Sequence, residues 1–261
     1  MPIMGKLHHS EREVIDRYKE LKSGVRTAKE FGISDAYVYV LLKKHGIKTG
    51  RGKNHNVIPH ELIPLSDELN QVITGELLGD GYLSLAPRHK NAKFRHASKH
   101  SGYTEYLRKK FEAYSPVISN ERGYSTLRTH NNPVFTELYE IWYDDKEKVV
   151  PHNLELTPTI LLHWHLGDGS LLRKREDENM LYLHTQGFRK EDTEFLASLL
   201  EDLGIRVAIR FEKRNRKRGC GFYINVLTDS MIDYFDYIAE NPIEPLQYRF
   251  QISNRYRKEN Q

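Results

Sequence analysis

Two aspartates, Asp80 and Asp168, each close an apolar run within the same four residues, Leu-Gly-Asp-Gly. A helix that stops at this sequence would leave its carboxylate at the C-terminal end, where the negative half-charge of the helix dipole disfavours an anion. Either solvent or a bound cation could offset that cost. We favour a cation, because carboxylate oxygens are ligands that Mg²⁺ prefers. The two aspartates are therefore candidate metal ligands.

Two similar stretches, residues 73–81 and 161–169, carry these aspartates, and the sequences that follow them also look alike. A single Gly-Asp-Gly is typical of an ordinary turn that ends a helix. Two copies at a domain-sized spacing instead predict two copies of one structural unit, which can pack symmetrically. The helices that end at these turns must then bring both acids together.

The two motifs resemble those of the LAGLIDADG homing endonucleases, in the single-chain type that has two motifs. The first motif contains the small residues Thr74, Gly75 and Gly79, which would let two helix backbones approach closely. The second motif departs from the family pattern at His163, where a small residue is usual. Trp164, four residues before the acid, is a variant that the two-motif subgroup shows.

The resemblance covers residues 65–255 and implies a site for phosphodiester hydrolysis between the two motif helices. These helices would pack side by side on a pseudo-twofold axis. Two carboxylates that hold Mg²⁺ or Mn²⁺ can activate a water and neutralise charge on the phosphate. By resemblance, the residues that hold the metal over the scissile phosphates are Asp80, Asp168, Gly79 and Gly167.

Three further residues take catalytic roles from the same resemblance. Lys148 lies in a segment before the second motif that matches a lysine-containing segment of the family, and Arg249 stands where the family usually has lysine. Both would stabilise charge on the phosphate, but arginine cannot shuttle a proton because its pKa stays above about 12. Gln186 matches a glutamine that orients water, and its first-half equivalent lies near Ala97. The alternative is that Lys148 and Arg249 are surface charges.

Each motif begins a repeated unit of helices and short strands with the predicted order αββαββα. Ser66 is the expected cap of the first motif helix, and Thr157 with Pro158 begins the second. Such a repeat predicts an α+β fold with two saddle-like antiparallel sheets. We assign residues 62–152 to the first half and 153–261 to the second half. The expected strands are residues 82–86, 92–97, 116–119, 124–130, 181–185, 205–211 and 221–227.

The N-terminal residues 1–50 are predicted to form a small all-α domain of three helices, followed by a basic linker over residues 51–61. Glycines interrupt the helical pattern twice, and Ser34 can cap the third helix. Residues 27–34 resemble the turn of helix-turn-helix modules that bind DNA, although small three-helix bundles also serve as protein adaptors. The expected DNA contacts of this domain are Ser34, Tyr37, Lys43 and Lys44.

A second candidate DNA surface lies in the strands, where residues 205–211 alternate between arginine or alanine and apolar side chains. A two-stranded ribbon of this kind fits the major groove, where arginine can read guanine edges. The loop that follows is strongly basic and would grip phosphates. The predicted DNA-binding residues in the repeat are Arg95, Arg128, Arg206, Arg210, Lys213, Arg214, Arg216, Lys217 and Arg218.

Composition limits the class of protein. The net charge is +4, and the basic residues are concentrated in runs at 43–53, 88–110 and 206–218, as expected of a phosphate-backbone binder. No apolar run is long enough for a transmembrane helix and no signal peptide is evident. The single cysteine, Cys220, argues against disulfides and structural zinc. We therefore expect an intracellular protein of the cytoplasm or nucleoid, with an organelle also open.

These observations lead to one interpretation with two alternatives. The chain is expected to be a monomeric, Mg²⁺- or Mn²⁺-dependent homing endonuclease that cuts double-stranded DNA at a long target site. The alternatives on the same fold are a DNA-binding regulator that does not cleave and an RNA maturase that assists intron splicing. Because both acids are intact, endonuclease is favoured over regulator.

Overall fold

The structure is a computed structural model that describes residues 9–47, 64–87, 89–175, 178–215 and 219–253. The chain divides into two compact units, Met1–Pro59 and His60–Gln261. Each unit has its own hydrophobic core. Within the described ranges, no helix is both long and apolar enough to cross a bilayer.

The N-terminal unit contains the three helices that the sequence predicts. A serine caps each of them, namely Ser10, Ser23 and Ser34, by accepting a hydrogen bond from a backbone N–H in the first turn. Gly32 ends the second helix with a φ of 62°, a left-handed conformation that favours glycine. The helices are α1 (Glu11–Leu21), α2 (Gly24–Phe31) and α3 (Asp35–Lys44). Their core consists of Val14, Ile15, Tyr18, Ala28, Val38, Leu41 and Leu42.

The first half of the larger unit has the predicted order αββαββα, and its strands form an antiparallel sheet in the order β1-β2-β4-β3. A short hairpin, β5 (Tyr143–Asp144) with β6 (Glu147–Lys148), follows and was not predicted. The other elements are α4 (Asp67–Leu78), β1 (Tyr82–Ser84), β2 (Lys93–Ser98), α5 (Ser101–Lys110), β3 (Val117–Glu121), β4 (Tyr124–Arg128) and α6 (Pro133–Trp142).

The second half repeats this architecture, with the sheet order β7-β8-β10-β9 and the same antiparallel pairing. The predicted α+β fold with two related units is thus confirmed. The strand over residues 169–175 was missed, because its end is charged and shows no apolar alternation. The elements are α7 (Pro158–Asp168), β7 (Gly169–Arg175), β8 (Glu178–Leu183), α8 (Lys190–Asp202), β9 (Val207–Asn215), β10 (Gly219–Val226), α9 (Met231–Tyr237) and a 3-10 segment (Glu244–Phe250).

The two halves meet where α4 packs against α7, which we call the motif helices. A Cβ added at Gly75 would lie 2.5 Å from the Cβ of His163 and from the carbonyl oxygen of Ile160. A Cβ at Gly79 would lie 3.1 Å from the Cα of Gly167. The small residues of the first motif therefore allow the backbone contact that was predicted, and Gly75 makes room for the large His163 of the second.

Candidate active site

The two aspartates lie beside each other where the motif helices end. A Cβ added at Gly167 would be 2.8 Å from the amide nitrogen of Asp80, and one at Gly79 would be 3.4 Å from the amide nitrogen of Asp168. α4 ends at Leu78, two residues before its acid, whereas α7 includes Asp168. Asp80 is exposed and Asp168 is half-buried. Close packing of the glycines thus brings together two acids from distant parts of the chain.

The turn that carries each acid is held by one residue of the helix before it. In the first half, the carbonyl of Glu76 accepts hydrogen bonds from the amides of Gly79 (3.0 Å) and Gly81 (2.8 Å), which flank Asp80. In the second half, the amide of Gly169 donates to the carbonyl of His165. Backbone groups next to the acids are thereby satisfied at the helix ends.

Lys148 and Arg249 occupy matching places at the two helix ends. The Lys148 Nζ donates to the carbonyls of Gly79 and Gly81, each at 3.2 Å. One guanidinium nitrogen of Arg249 donates to the carbonyls of Leu166 at 2.5 Å and Gly167 at 3.4 Å. Cations at these positions satisfy free carbonyls and complement the negative end of the helix dipole. Both side chains are half-buried beside the acids, and neither is a plain surface charge.

The hairpin that carries Lys148 also contacts the second half. Arg189 bridges to Asp144 at 2.9 Å and to Glu147 at 3.1 Å, and the Lys148 Nζ lies 5.3 Å from the centre of the Phe188 ring. The ion pairs are exposed, so their energetic contribution is small. They nevertheless place Lys148 at the boundary between the two halves.

Burial and neighbouring charges shift the pKa values of Lys148 and Asp80. Burial lowers the pKa of the Lys148 ammonium, while the nearby negative charges of Asp168, Asp80 and Glu76 oppose that shift. The pKa of Asp80 is raised: although the residue is exposed, neighbouring protein groups remove part of the hydration of its carboxyl, and the negative charge of Glu76 adds to the rise. The positive charges of His96, Arg249 and Lys148 counteract the rise. Lys148 thus interacts with both aspartates, and its proton is more easily lost than that of an exposed lysine.

Asp168 opens into a cavity of about 320 Å³ that is lined by Ser170, His184, Gln186 and Arg249. The backbone amide of His184 donates to the Asp168 carbonyl at 3.0 Å, and its Nε2 lies 2.9 Å from the Ser170 hydroxyl. Gln186 donates to Glu212 at 3.0 Å. Gln186 therefore lies next to the acid, as its predicted role needs, while one of its amide hydrogens is already engaged.

The strand register shows which residues of the first half are equivalent to Ser170, His184 and Gln186. Tyr82 and Ser170 both lie two residues after their acid, and their cross-strand partners are Arg95 and Tyr182. Counting along β2 and β8 from these partners shows that Ala97 is equivalent to His184 and that Lys99 is equivalent to Gln186. The first-half equivalent of Gln186 is thus Lys99, two residues beyond the predicted position. The two acids have chemically different neighbours.

A buried polar cluster, which sequence analysis did not identify, lies directly beneath the Asp80 turn. Glu76 is completely buried, and its carboxylate oxygens lie 2.6 Å from the Nδ1 of His96 and 2.9 Å from the Nδ1 of His163. The Tyr103 hydroxyl also donates to Glu76. The available signal was an acid inside a mainly apolar stretch of the helix, residues 72–78, since charged residues are rarely fully buried unless they are paired.

The charge state of this cluster follows from its contacts. Burial alone would raise the pKa of the Glu76 carboxyl, but the positive charge of His96 and the hydrogen bond from His163 lower it to about 2. Burial would lower the pKa of His96, but Glu76 outweighs that effect and raises it. Glu76 is therefore anionic, and the charge of His96 compensates it inside the core.

His165, three residues before Asp168, is a core residue that is held by hydrogen bonds. Its Nε2–H donates to the carbonyl of Arg249 at 3.1 Å, and its Nδ1 accepts from the Tyr234 hydroxyl at 3.1 Å. Burial lowers its pKa to about 4, so the ring is neutral at physiological pH. Trp164 is fully buried, as expected of a core residue.

The donor set at the acids fits a hard divalent cation. Among the described residues, no group of three or more His, Cys, Asp or Glu forms a metal site. Two carboxylates with room for water suit Mg²⁺, which retains several waters when it binds to proteins. The carbonyls of Gly79 and Gly167 accept from Lys148 and Arg249, yet each keeps a second lone pair. The residues present therefore fit such an ion.

The predicted DNA-binding residues of the repeat that the structure describes lie on or next to the two sheets. Arg95 pairs across the sheet with Arg128, and Arg210 pairs with Tyr223 on the face of the second sheet that is turned away from the core. Lys213 is exposed near the end of β9. Arg206 precedes β9 and is ion-paired with Asp229. The side chain of Arg214 and residues Arg216, Lys217 and Arg218 lie outside the part that the structure describes.

The N-terminal unit uses several of its predicted contacts for its own stability. The Ser34 hydroxyl caps α3, Tyr37 packs against the core, and Lys44 is ion-paired with Glu11 at 2.8 Å. Lys43 is exposed. Val40, in the middle of α3, is 61% exposed.

Comparisons with known proteins agree with this architecture. Residues 70–259 match the model of the LAGLIDADG DNA endonuclease family. An uncharacterised protein of Methanocaldococcus jannaschii, MJ1098, is 28% identical over 236 residues, which cover 85% of this chain and 87% of that protein. A probable intron-encoded endonuclease 1 of Wickerhamomyces canadensis is 28% identical over 186 residues, which cover 63% of this chain and 79% of that protein.

The fold is also similar to that of a solved structure, the homing endonuclease I-WcaI bound to its DNA recognition sequence. The TM-score is 0.64 at 22% sequence identity, and the match covers 72% of this chain and 88% of that one. At this identity the similarity concerns the fold. Together with the family match over most of the chain and the paired motif helices, it leads to one conclusion. The chain belongs to the LAGLIDADG DNA endonuclease family.

Proposed function

We propose that the protein is a site-specific endonuclease that hydrolyses both strands of double-stranded DNA with the help of Mg²⁺ or Mn²⁺. One observation carries the proposal: close glycine contacts between α4 and α7 place Asp80 and Asp168 side by side, with a basic side chain bonded to each helix end. When bound, the ion would stabilise charge on the phosphate and lower the pKa of a water. Because one chain supplies both acids, we propose that it acts as a monomer.

The residues around the acids have distinct tasks in this proposal. Asp80 and Asp168 would hold the ion next to the scissile phosphates. Lys148, whose pKa is lowered, can stabilise developing charge and can also pass a proton at Nζ. Arg249 stabilises charge but does not transfer a proton, because a guanidinium stays protonated. Gln186 and His184 line the cavity beside Asp168 and can orient water there.

Binding of DNA is assigned to the sheet faces that point away from the core. On the second sheet, Arg210 lies with Tyr182, Tyr223 and Asn225 around a shallow cavity of about 240 Å³. Arginine and amide side chains on a two-stranded ribbon are suited to reading base edges in the major groove. Exposed Lys213 at the far end of β9 is suited to a phosphate contact.

The test of the proposed function is a selection for cleaved sites from a random DNA library in the presence of Mg²⁺. The wild-type chain should enrich one long site with two half-sites, and the double variant Asp80→Asn/Asp168→Asn should enrich none. Enrichment of bound but uncut DNA by both proteins would indicate a regulator. Binding of intron RNA without DNA cleavage would indicate a maturase.

The N-terminal unit is proposed to add a flanking DNA contact through α3. All residues placed at the site, including both acids and both basic partners, lie after residue 60, so deletion of residues 1–58 should leave an active but less selective nuclease. The deletion should lower affinity at low salt by about 10²-fold, as expected for the loss of a tethered second contact. Cleavage and footprinting of the selected site measure both effects. A folded, truncated protein that is inactive at saturating DNA would contradict this division of tasks.

A further inference from the structure

The buried cluster beneath Asp80 joins three elements of the first half to the second half. Glu76 comes from α4, His96 from β2 and Tyr103 from α5, whereas His163 comes from α7. All four side chains are almost completely buried. The cluster therefore crosses the interface of the motif helices, one turn before the first acid.

Such a cluster is costly, and the fold does not require it. Burial of a charged pair is repaid only when geometry and hydrogen bonds are good, and apolar residues of similar volume are often as stable. The second half shows this alternative. At the positions equivalent to Glu76 and His96 it has Trp164 and Leu183, which are both fully buried. The first half thus has a polar pair where the same architecture can be built with apolar side chains.

The cluster acts on the backbone of the acid turn through Glu76. Its side chain is fixed by His96, His163 and Tyr103, and its carbonyl accepts from the amides on both sides of Asp80. Packing adds to this restraint, because a Cβ at Gly81 would lie 2.8 Å from the Glu76 Cβ. A shift of the Glu76 side chain would therefore move the turn that presents Asp80.

We propose that Glu76, held by His96 and His163, is a positioning residue that fixes the Asp80 turn and its distance from the Asp168 turn. The inference deepens the proposed function and rests on it only for the catalytic consequence. His163 ties the position of α4 to that of α7, so that the two acids keep their relative placement. His165, which holds the other turn, is the matched residue of the second half.

Two variants of similar size test the proposal, Glu76→Gln and the matched control His165→Gln. Amide hydrogen exchange in the full-length protein reads the position of the turns without any need for cleavage. Glu76→Gln should speed exchange at Gly79 and Gly81 by about tenfold or more and leave Gly169 within about twofold of wild type. His165→Gln should do the reverse. If Glu76→Gln unfolds the protein, His96→Gln gives the same test with Glu76 intact.

Single-turnover cleavage of the selected site then measures the consequence for function. Glu76→Gln should slow the cleavage step by about tenfold or more while DNA affinity stays within about twofold, since only the alignment of Asp80 changes. Exchange that rises equally in both turns, or a cleavage step that remains at the wild-type rate despite faster exchange at Gly81, would overturn the proposal. A wild-type protein that cuts no DNA but shows the local exchange pattern would refute the proposed function and leave the positioning role intact.

Discussion

The two halves of the repeat hold equivalent acids in different ways. In the first half the turn is fixed from Glu76, whose charged side chain is buried among two histidines and a tyrosine. In the second half it is fixed from one position later, at His165, whose neutral ring is bonded to Tyr234 and to the backbone of Arg249. The two halves thus both use backbone hydrogen bonds to hold the turn. Different side-chain contacts fix the residue that accepts those hydrogen bonds.

The same contrast extends to the other side chains around the two acids. Lys148 and Arg249 bind the carbonyls of matching helix ends, but only Lys148, whose pKa is lowered, can exchange a proton, because a guanidinium stays protonated. The Asp168 side has His184 and Gln186, whereas the Asp80 side has Ala97 and Lys99 in register. The two half-sites should therefore contribute unequally to cleavage of the two DNA strands.

Among the changes that test this contrast between the two halves, removal of the basic residues has the largest expected effect. Lys148→Met and Arg249→Met should each reduce the single-turnover cleavage rate by about 10²-fold, because a charge at the phosphate is lost. Arg249→Lys keeps the charge and is the control, with a rate expected within about tenfold of wild type. Cleavage of each strand is followed with separate end labels. Wild-type rates in both Met variants would mean that the two residues serve only to cap the helices.

The contrast between the charged Glu76 and the neutral His165 predicts that the stability of the protein depends on pH. The pKa of His165 falls from its ordinary value of 6.5 to about 4 on folding. The unfolded chain therefore takes up a proton that the folded protein excludes, and stability that is complete above pH 6.5 is lost as pH falls towards 4. The full loss corresponds to about 3 kcal/mol.

Denaturant unfolding between pH 7 and pH 4.5 checks this expectation. The variant His165→Gln, which has no titrating ring, should show a flatter dependence in this range. The stability that depends on ionised Glu76 is lost only at lower pH, towards about 2. His96, whose pKa is raised, contributes fully on the acid side and loses its contribution as pH rises through its folded pKa. An equal slope in wild type and His165→Gln would contradict the assignment.

Substitutions in the sheet of the second half should have the smallest effects, and these concern the selectivity for the DNA sequence. Arg210→Ala should relax base preference at one or two positions of a half-site by about 1–3 kcal/mol. Lys213→Ala should weaken binding to all sequences alike and reduce the salt dependence. Arg206→Ala should do less than Arg210→Ala, because Arg206 is ion-paired with Asp229. Binding to a panel of single-base variants distinguishes these patterns, and uniform losses from Arg210→Ala would place the ribbon on the phosphate backbone.

The features that the two halves share could be predicted from the sequence, whereas the buried cluster around Glu76 could not. The motif acids, the order of elements and the basic partners follow from two similar segments and from a family resemblance. The Glu76 cluster does not, because its hydrogen-bonded partners lie 27 and 87 residues away in the chain and have no repeated counterpart. His163 and Gly75 are a related case: they occupy equivalent positions in the two motifs, and the glycine leaves room for the histidine across the helix interface.

The central claim, that Asp80 and Asp168 together form the cleavage site, has one direct test. Asp80→Asn and Asp168→Asn are compared with wild type for double-strand cleavage and for affinity on the selected site with Mg²⁺ present. Each variant should fail to cut both strands, while its DNA affinity stays within about tenfold of wild type, because the acids hold the ion and not the bases. Cleavage of both strands at the wild-type rate by either variant would show that the active site is elsewhere.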